Sequence, residues 1–141
     1  ILDTSKDWFK EGLSAIPDLV KPNLEELKAY THKDLNDESE IIDEALKICA
    51  KGVKEVLVSL GKKGSLYVTN SNIYKITVPD IEIVNHVGAG DALLAGFVSS
   101  KANYGLKDAL RRAAAISLVY ISNRDDIDML QKLVKIKSIK R

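Results

Sequence analysis

A glycine-rich turn that carries one carboxylate lies in the second half of the sequence. Gly88-Ala89-Gly90-Asp91 is followed directly by residues 92–97, an apolar run of helical character. A glycine-rich turn that opens a helix directs several unpaired backbone N–H groups toward one point, and the helix dipole adds partial positive charge there. This pattern predicts a site for an anion such as phosphate, with Asp91 placed to take a proton from a hydroxyl group. The same residues also fit an ordinary loop with an aspartate at a helix start, and alone they do not decide between the two.

A second candidate site follows a short apolar strand predicted over residues 18–20. Lys21-Pro22 turns off the end of that strand, and Asn23 precedes a helical pattern. Asn23 with Glu26 three residues later resembles a capping box, in which each side chain accepts the other residue's backbone N–H. The functional alternative is that Glu26 orders the water shell of a magnesium ion. This segment alone leaves both interpretations open.

A third polar turn follows a strand predicted over residues 53–60. Residues 56–58 of this segment are apolar on both faces, which is typical of a parallel strand covered by helices on both sides. The strand runs into a turn punctuated by glycines, which consists of Ser59, Leu60, Gly61, Lys62, Lys63 and Gly64.

Helical and strand periodicities alternate along the chain. After a helix over residues 6–15, with Trp8, Phe9 and Leu13 on one face, strands and helices alternate up to a hairpin. The hairpin pairs residues 65–69 with 73–77, and two long helices follow it. This order predicts an α/β fold in layers, with a largely parallel sheet flanked by helices. Ligands of such sheets bind beyond the carboxyl ends of the strands, where all three polar turns are expected.

Composition limits the classes of function. The chain has 141 residues, of which 45% are hydrophobic and 29% charged, so one ordinary globular domain is expected. A formal net charge of +1 gives no case for a nucleic-acid partner. Cys49 is the only cysteine, which excludes an internal disulfide and favours a small buried core residue. No apolar run approaches the roughly 18 residues needed to cross a membrane, and we expect a reducing, cytoplasmic location without membrane contact.

Three segments together resemble the ribokinase-like pfkB carbohydrate kinases. They are residues 21–27 (Lys-Pro-Asn-Leu-Glu-Glu-Leu), 58–64 and 87–97, and both their order and their spacing match. The opening Leu2-Asp3-Thr4-Ser5 and the Lys-Pro-Asn triplet are most similar to the branch of 1-phosphofructokinases and tagatose-6-phosphate kinases. The resemblance covers nearly the whole chain but only the carboxyl-terminal half of the family's sequence. It therefore implies that residues 1–141 are one half of a kinase domain, without the β lid and the sugar-binding glycine pair.

The resemblance implies ATP-dependent phosphoryl transfer, with Mg²⁺, to a hydroxyl of a sugar phosphate such as fructose 1-phosphate or tagatose 6-phosphate. It assigns the role of general base to Asp91. It assigns the anion hole for the transferring phosphoryl group to Gly88, Ala89 and Gly90, with Gly90 also against the nucleotide.

The resemblance also implies that Asn23 and Glu26 place magnesium and phosphate, acting on the metal through water, and that the turn from Ser59 to Gly64 holds the nucleotide. One departure concerns Asn85 and Val87, which fall where family members that use a monovalent cation have its ligands, so no bound potassium is expected.

Two classes of function stay open. One is an enzyme half that needs the absent amino-terminal half, or a second copy, as its partner. The other is a truncated, non-catalytic nucleotide-binding remnant, or another pfkB-family sugar or nucleoside kinase.

Overall fold

The computed structural model describes residues 1–3 and 7–141. Thr4, Ser5 and Lys6 lie outside the described residues, and with them part of the opening segment and the first residue of the helix predicted over 6–15. The elements follow one another along the chain as α1 (Asp7–Ser14), β1 (Leu19–Val20), α2 (Leu24–Thr31), α3 (Glu38–Ala50), β2 (Glu55–Ser59), β3 (Ser65–Val68), β4 (Ile73–Thr77), α4 (Ala89–Lys101), α5 (Leu106–Ile121), α6 (Ile127–Leu133) and β5 (Lys135–Ser138).

The strands form one five-stranded sheet in the order β1-β2-β3-β4-β5. β1 pairs parallel to β2 with Val20 opposite Val56, whereas β2 pairs antiparallel to β3 with Val58 opposite Leu66. The layered α/β architecture predicted from the sequence is confirmed. The expected parallel pairing is found between β1 and β2, whereas β2 and β3 pair antiparallel. The reason lies in residues 60–64, because a parallel connection needs a dozen or more residues and this turn is too short for one.

The chain divides into two compact units that are described separately. The first unit contains Ile1–Gly61, Ser65–Tyr74 and Ser138–Arg141, and the second contains Lys62–Gly64 and Lys75–Lys137. The division falls within β4 and within β5. No helix in the described ranges is both long and apolar enough to cross a membrane.

The core of the first unit packs the helices α1, α2 and α3 against the apolar strands. Val20, Val56 and Val58 are completely buried in it, and Cys49 of α3 is 1% exposed, as its assignment to the core predicted. Phe9 of α1 is also buried in this core.

The predicted apolar face of α1 is wrong at one position. Phe9 and Leu13 are buried, whereas Trp8 is 70% exposed. Each residue advances the direction of the side chain by about 100° around a helix, so Trp8 leaves the face that Phe9 and Leu13 share four residues apart.

The second unit is built on the close approach of α4 and α5. A Cβ atom added to Gly96 of α4 would lie 3.1 Å from the Cα of Ala113 in α5. Ala113, Ala114 and Ala115 are all buried, which confirms that these small residues let the two helices pack closely. Leu118, Ile121 and Leu130 continue the core toward α6.

Candidate functional site

The glycine-rich turn opens α4, as the sequence predicted, but residues 78–88 before it form no strand, so the expectation that this turn follows the carboxyl end of a strand is wrong. Gly88 immediately precedes the helix and has φ +84°, in the left-handed region that favours glycine. The Ala92 N–H donates to the Gly88 carbonyl at 2.9 Å, which starts the helical hydrogen bonding. Asp91 lies in the first turn of α4 and is exposed. The Ala89 N–H donates to the carbonyl of His86 at 3.2 Å. The other N–H groups of such a first turn have no intrahelical acceptor, so this turn presents donors and a carboxylate at one helix end.

Hydrogen bonds from α5 hold the turn and the segment that leads into it. The backbone N–H groups of Val84 and Asn85 both donate to the carbonyl of Ile121, at 2.8 and 3.2 Å. The hydroxyl of Ser117 donates to the carbonyl of Ala89 at 2.9 Å. The position of the anion turn therefore depends on the last turns of α5, a dependence that the local sequence pattern did not indicate.

Asn23 and Glu26 form the predicted capping box at the start of α2. The Glu26 N–H donates to Oδ1 of Asn23 at 2.7 Å, and the Asn23 N–H donates to Oε1 of Glu26 at 2.9 Å. This confirms the structural interpretation of the pair. Oε2 of Glu26 has no hydrogen-bond partner in the part of the chain that the structure describes, so one carboxylate oxygen stays available for another ligand.

Two of the predicted site segments lie side by side in the first unit. Asn23 and Ser59 form an isolated parallel bridge, and the Ser59 N–H donates to the carbonyl of Pro22 at 3.1 Å. Asn23 follows β1 and Ser59 ends β2, and the carboxyl ends of these parallel strands therefore meet at one edge of the sheet. That is the edge at which ligands of parallel sheets bind.

The turn after β2 depends on two glycines with positive φ. Gly61 has φ +61° and Gly64 has φ +91°. A Cβ atom on Gly64 would lie 1.9 Å from the carbonyl oxygen of Ile76, whereas a Cβ atom on Gly61 would meet nothing within 4 Å. Lys62 and Lys63 between them are exposed in a short 3₁₀ turn. This turn therefore exposes two ammonium groups while its backbone is fixed against β4 at Gly64.

Lys21 is a charged residue whose burial the sequence pattern missed. It is 4% exposed, and its Nζ lies 3.5 Å from Oδ1 of Asp3. Its N–H donates to the carbonyl of Leu2 at 3.1 Å. The available signal in the sequence was the position of Lys21, directly after a buried strand and two residues before Asn23.

The predicted site residues fall into two groups. Asn23, Glu26 and Ser59 come together in the first unit, and Gly88 to Asp91 form the anion turn of the second. Within the ranges 1–3 and 7–141, no three His, Cys, Asp or Glu side chains are grouped so that they could enclose a metal ion. A single carboxylate such as Glu26 suits Mg²⁺, which keeps several waters and is bound through one or two carboxylates plus substrate phosphates.

Known proteins of one family match this chain over most of its length. The sequence pattern of the pfkB family carbohydrate kinases matches residues 1–133. The chain is 34% identical over 146 aligned positions to the 1-phosphofructokinase of Haemophilus influenzae, covering 96% of this chain and 45% of that protein. The structure of phosphofructokinase-2 from Escherichia coli in complex with fructose-6-phosphate superposes with a TM-score of 0.80 at 28% identity, over 94% of this chain and 44% of that one.

A more distant relative has the same fold. Arabidopsis thaliana ribokinase complexed with ribose and ATP superposes with a TM-score of 0.70 at 28% identity, over 82% of this chain and 38% of that one. The chain therefore spans less than half the length of the proteins it matches.

Proposed function

The chain belongs to the pfkB family of carbohydrate kinases, and we propose that it is the carboxyl-terminal half of an ATP-dependent sugar-phosphate kinase. Its substrate is proposed to be fructose 1-phosphate, because the Haemophilus influenzae relative is named a 1-phosphofructokinase. Tagatose 6-phosphate is the second choice. The sugar-binding part of the site is assigned to an amino-terminal half, since the chain covers 45% of that relative.

The anion turn is the observation that carries this proposal. Phosphoryl transfer relies on positioning and on stabilisation of the charge on the equatorial oxygens of the phosphoryl group. Gly88, at φ +84°, leads the backbone into α4 so that the N–H groups of Ala89 and Gly90 belong to a helix N-terminus. In the proposed reaction these groups bind the transferring phosphoryl group, and the Ala89 N–H first gives up the carbonyl of His86, to which it donates at 3.2 Å. Asp91, in the same helical turn, accepts the proton of the attacking sugar hydroxyl.

Asn23 and Glu26 are proposed to place magnesium through its water shell. Oε1 of Glu26 accepts the Asn23 N–H, which orients the carboxylate and leaves Oε2 for a metal-bound water. Bound Mg²⁺ neutralises phosphate charge and orients the nucleotide phosphates. The buried ammonium of Lys21 follows β1 at the same edge, and the Asp3 carboxylate balances its charge.

The turn after β2 is proposed to hold the nucleotide. Its residues are Ser59, Leu60, Gly61, Lys62, Lys63 and Gly64, and the exposed ammonium groups of the two lysines favour a polyanion such as ATP. The close approach of Gly64 to the carbonyl of Ile76 anchors the end of this turn against β4. In this proposal ATP is the nucleotide, as in the ribokinase complex.

A second candidate function follows from the length of the chain. Because the chain spans 45% of the Haemophilus influenzae relative, a nucleotide-binding piece without turnover of its own is the alternative. The two candidates share the nucleotide site and differ in the acceptor. If the chain is half of a kinase, it gains activity when a sugar-binding half is supplied. If it is only a nucleotide-binding piece, it does not.

Isothermal titration of the chain with MgATP tests the nucleotide site directly. Gly88→Ala is expected to weaken binding at least about tenfold, because φ +84° strains alanine and the phosphate donors shift. Gly105→Ala is the matched control, because Gly105 also precedes a helix but has φ −62° and open space around it. A chain that binds no MgATP, or equal affinity in the two variants, contradicts the proposal.

A further inference from the structure

The aromatic ring of Tyr120 lies directly against the glycine that begins the anion turn. A Cβ atom on Gly88 would lie 2.7 Å from Cε1 of Tyr120 and 3.1 Å from its hydroxyl oxygen. These distances are shorter than van der Waals contact, so the ring occupies the space that any larger side chain at position 88 would need. Gly88 is therefore required here both by its φ of +84° and by the tyrosine beside it.

Tyr120 belongs to the face of α5 that contacts α4. Ala113 lies against Gly96, Ser117 donates to the carbonyl of Ala89, and Tyr120 reaches Gly88. Residues 113, 117 and 120 are four and three positions apart, so they share one face of the helix. Along this face the side chains grow from alanine to serine to tyrosine toward the end of α4 that carries the anion turn.

The exposure and hydrogen bonding of Tyr120 indicate that its ring, and not its hydroxyl, is the group that acts on the turn. Tyr120 is 64% exposed, so burial of the ring contributes little to the core of the unit. Its hydroxyl makes no hydrogen bond within the described part of the chain. The ring is thus an exposed aromatic group that borders the Cβ position of Gly88.

We propose that Tyr120 is a positioning residue for the anion turn, and that its ring holds Gly88 in the left-handed conformation that aims the turn's N–H groups at phosphate. This inference rests on the proposed function of residues 88–91 as the phosphate site. Glycine has more conformational freedom than any other residue, so a turn that begins at Gly88 needs an outside contact to keep one geometry. The ring supplies that contact at Gly88, and the hydrogen bonds to the Ile121 carbonyl and from the Ser117 hydroxyl hold the neighbouring residues.

The ring contact predicts a specific order among variants. Tyr120→Phe keeps the ring and loses only an unpaired hydroxyl, so its affinity for MgATP should stay within about twofold of the unmodified chain. Tyr120→Ala removes the ring and should weaken MgATP binding about tenfold, because the backbone N–H groups of the anion turn no longer point toward one phosphate position. Tyr104→Ala is the matched control, because Tyr104 is another exposed tyrosine of this unit and stacks on Arg112 instead of the turn.

A ligand-free measurement separates this inference from the proposed function. NMR hydrogen exchange at the amide of Ala92, whose N–H donates to Gly88, should be about tenfold faster in Tyr120→Ala and unchanged in Tyr120→Phe and Tyr104→Ala. Urea unfolding of each variant checks that the effect is local. If Tyr120→Ala does not fold, Tyr120→Leu, which also lacks the ring, gives the same comparison.

Different outcomes contradict the proposed nucleotide site and the positioning role of Tyr120. Absence of MgATP binding in the unmodified chain contradicts the nucleotide site, while the exchange rates still test the ring contact. Unchanged exchange and affinity in Tyr120→Ala overturn the positioning role. Equal losses in Tyr120→Phe and Tyr120→Ala also overturn it, because the hydroxyl and not the ring would then be responsible.

Discussion

The carboxylate of Glu26 accepts the backbone N–H of Asn23 at 2.9 Å, while the side chain of Asn23 accepts the N–H of Glu26 at 2.7 Å. This reciprocal pair stabilises the start of α2 and fixes the direction of the Glu26 carboxylate at the same time. A capping role and a role in placing magnesium are therefore compatible, because the cap uses one carboxylate oxygen and leaves the other.

Substitution of Glu26 by glutamine separates these two roles. The amide oxygen of Gln can still accept the Asn23 N–H, so we expect a loss of at most about 1 kcal/mol in the free energy of unfolding. The missing charge should raise the magnesium concentration needed for half-maximal nucleotide binding. Glu25→Gln is the control, since Glu25 lies in the same first turn but pairs with Lys28. Identical magnesium titrations for the two variants would return Glu26 to a capping role only.

The two glycines of the turn after β2 predict unequal costs for alanine. Both have positive φ, but only Gly64 faces a backbone oxygen, the carbonyl of Ile76, at 1.9 Å from the Cβ position. We expect Gly61→Ala to lower the free energy of unfolding by about 1 kcal/mol from backbone strain alone. Gly64→Ala should lower it by more than about 3 kcal/mol, because the backbone of β4 must also move. Equal urea midpoints for the two variants would contradict the close approach of Gly64 to the carbonyl oxygen of Ile76.

The thiol of Cys49 predicts a dependence of stability on alkaline pH. Burial raises the pKa of Cys49 from its ordinary value of 9.0 to about 11. A folded-state pKa above the unfolded one means that the folded chain holds the proton more tightly. The protonated thiol therefore contributes to the free energy of unfolding. This contribution is present in full below about pH 9 and is lost as the pH rises toward 11. The stability of Cys49→Ala should therefore fall less steeply than that of the unmodified chain across this range.

Thiol modification checks the same burial by an independent measurement. At pH 8 the native chain should react with a disulfide reagent at least about 100-fold more slowly than the chain in concentrated urea. Similar rates in the two states would show that Cys49, 1% exposed in the fold, is accessible.

Large apolar side chains at the surface of the first unit predict association in solution. Ile1, Trp8 and Ile16 are all more than half exposed. Exposed apolar groups of this kind recruit a partner chain. We expect the 15.5 kDa chain to sediment as an oligomer at micromolar concentration. A single monomeric boundary across that range would contradict this expectation, and Trp8→Lys should shift the distribution toward monomer.

Local sequence signals predicted the parts of the fold that local interactions determine. The helix over 106–121, the hairpin, and the cap formed by Asn23 and Glu26 all follow from periodicity and capping residues within a few positions. The α/β class followed from the alternation of these elements. The mixed pairing of the sheet could have been inferred from the length of the turn at residues 60–64, which leaves no room for a crossover.

Contacts between distant residues could not be predicted in this way. Tyr120 lies against Gly88, and nothing near either residue in the sequence indicates the other. Glu44 of α3 is buried and pairs with Lys33 and Lys47 at 2.5 and 2.7 Å, although a charged residue on a helix is expected in solvent. Such pairs depend on how elements pack, which hydrophobic periodicity does not specify.

The central claim is that the chain supplies the base and the phosphate site of a sugar-phosphate kinase and needs a second half for its sugar. The direct test combines the purified chain with the portion of the Haemophilus influenzae 1-phosphofructokinase that it does not cover. Sedimentation first establishes that the two pieces associate. A coupled assay then measures ADP release with MgATP and fructose 1-phosphate, with tagatose 6-phosphate in a parallel arm.

We expect ADP release from the mixture and none from either piece alone. Asp91→Asn in the chain should lower the rate by about two to four orders of magnitude while MgATP binding is nearly kept, because the proton acceptor is lost and the anion turn is not. Associated pieces that release no ADP with either sugar phosphate, or an Asp91→Asn mixture with undiminished turnover, would contradict the account.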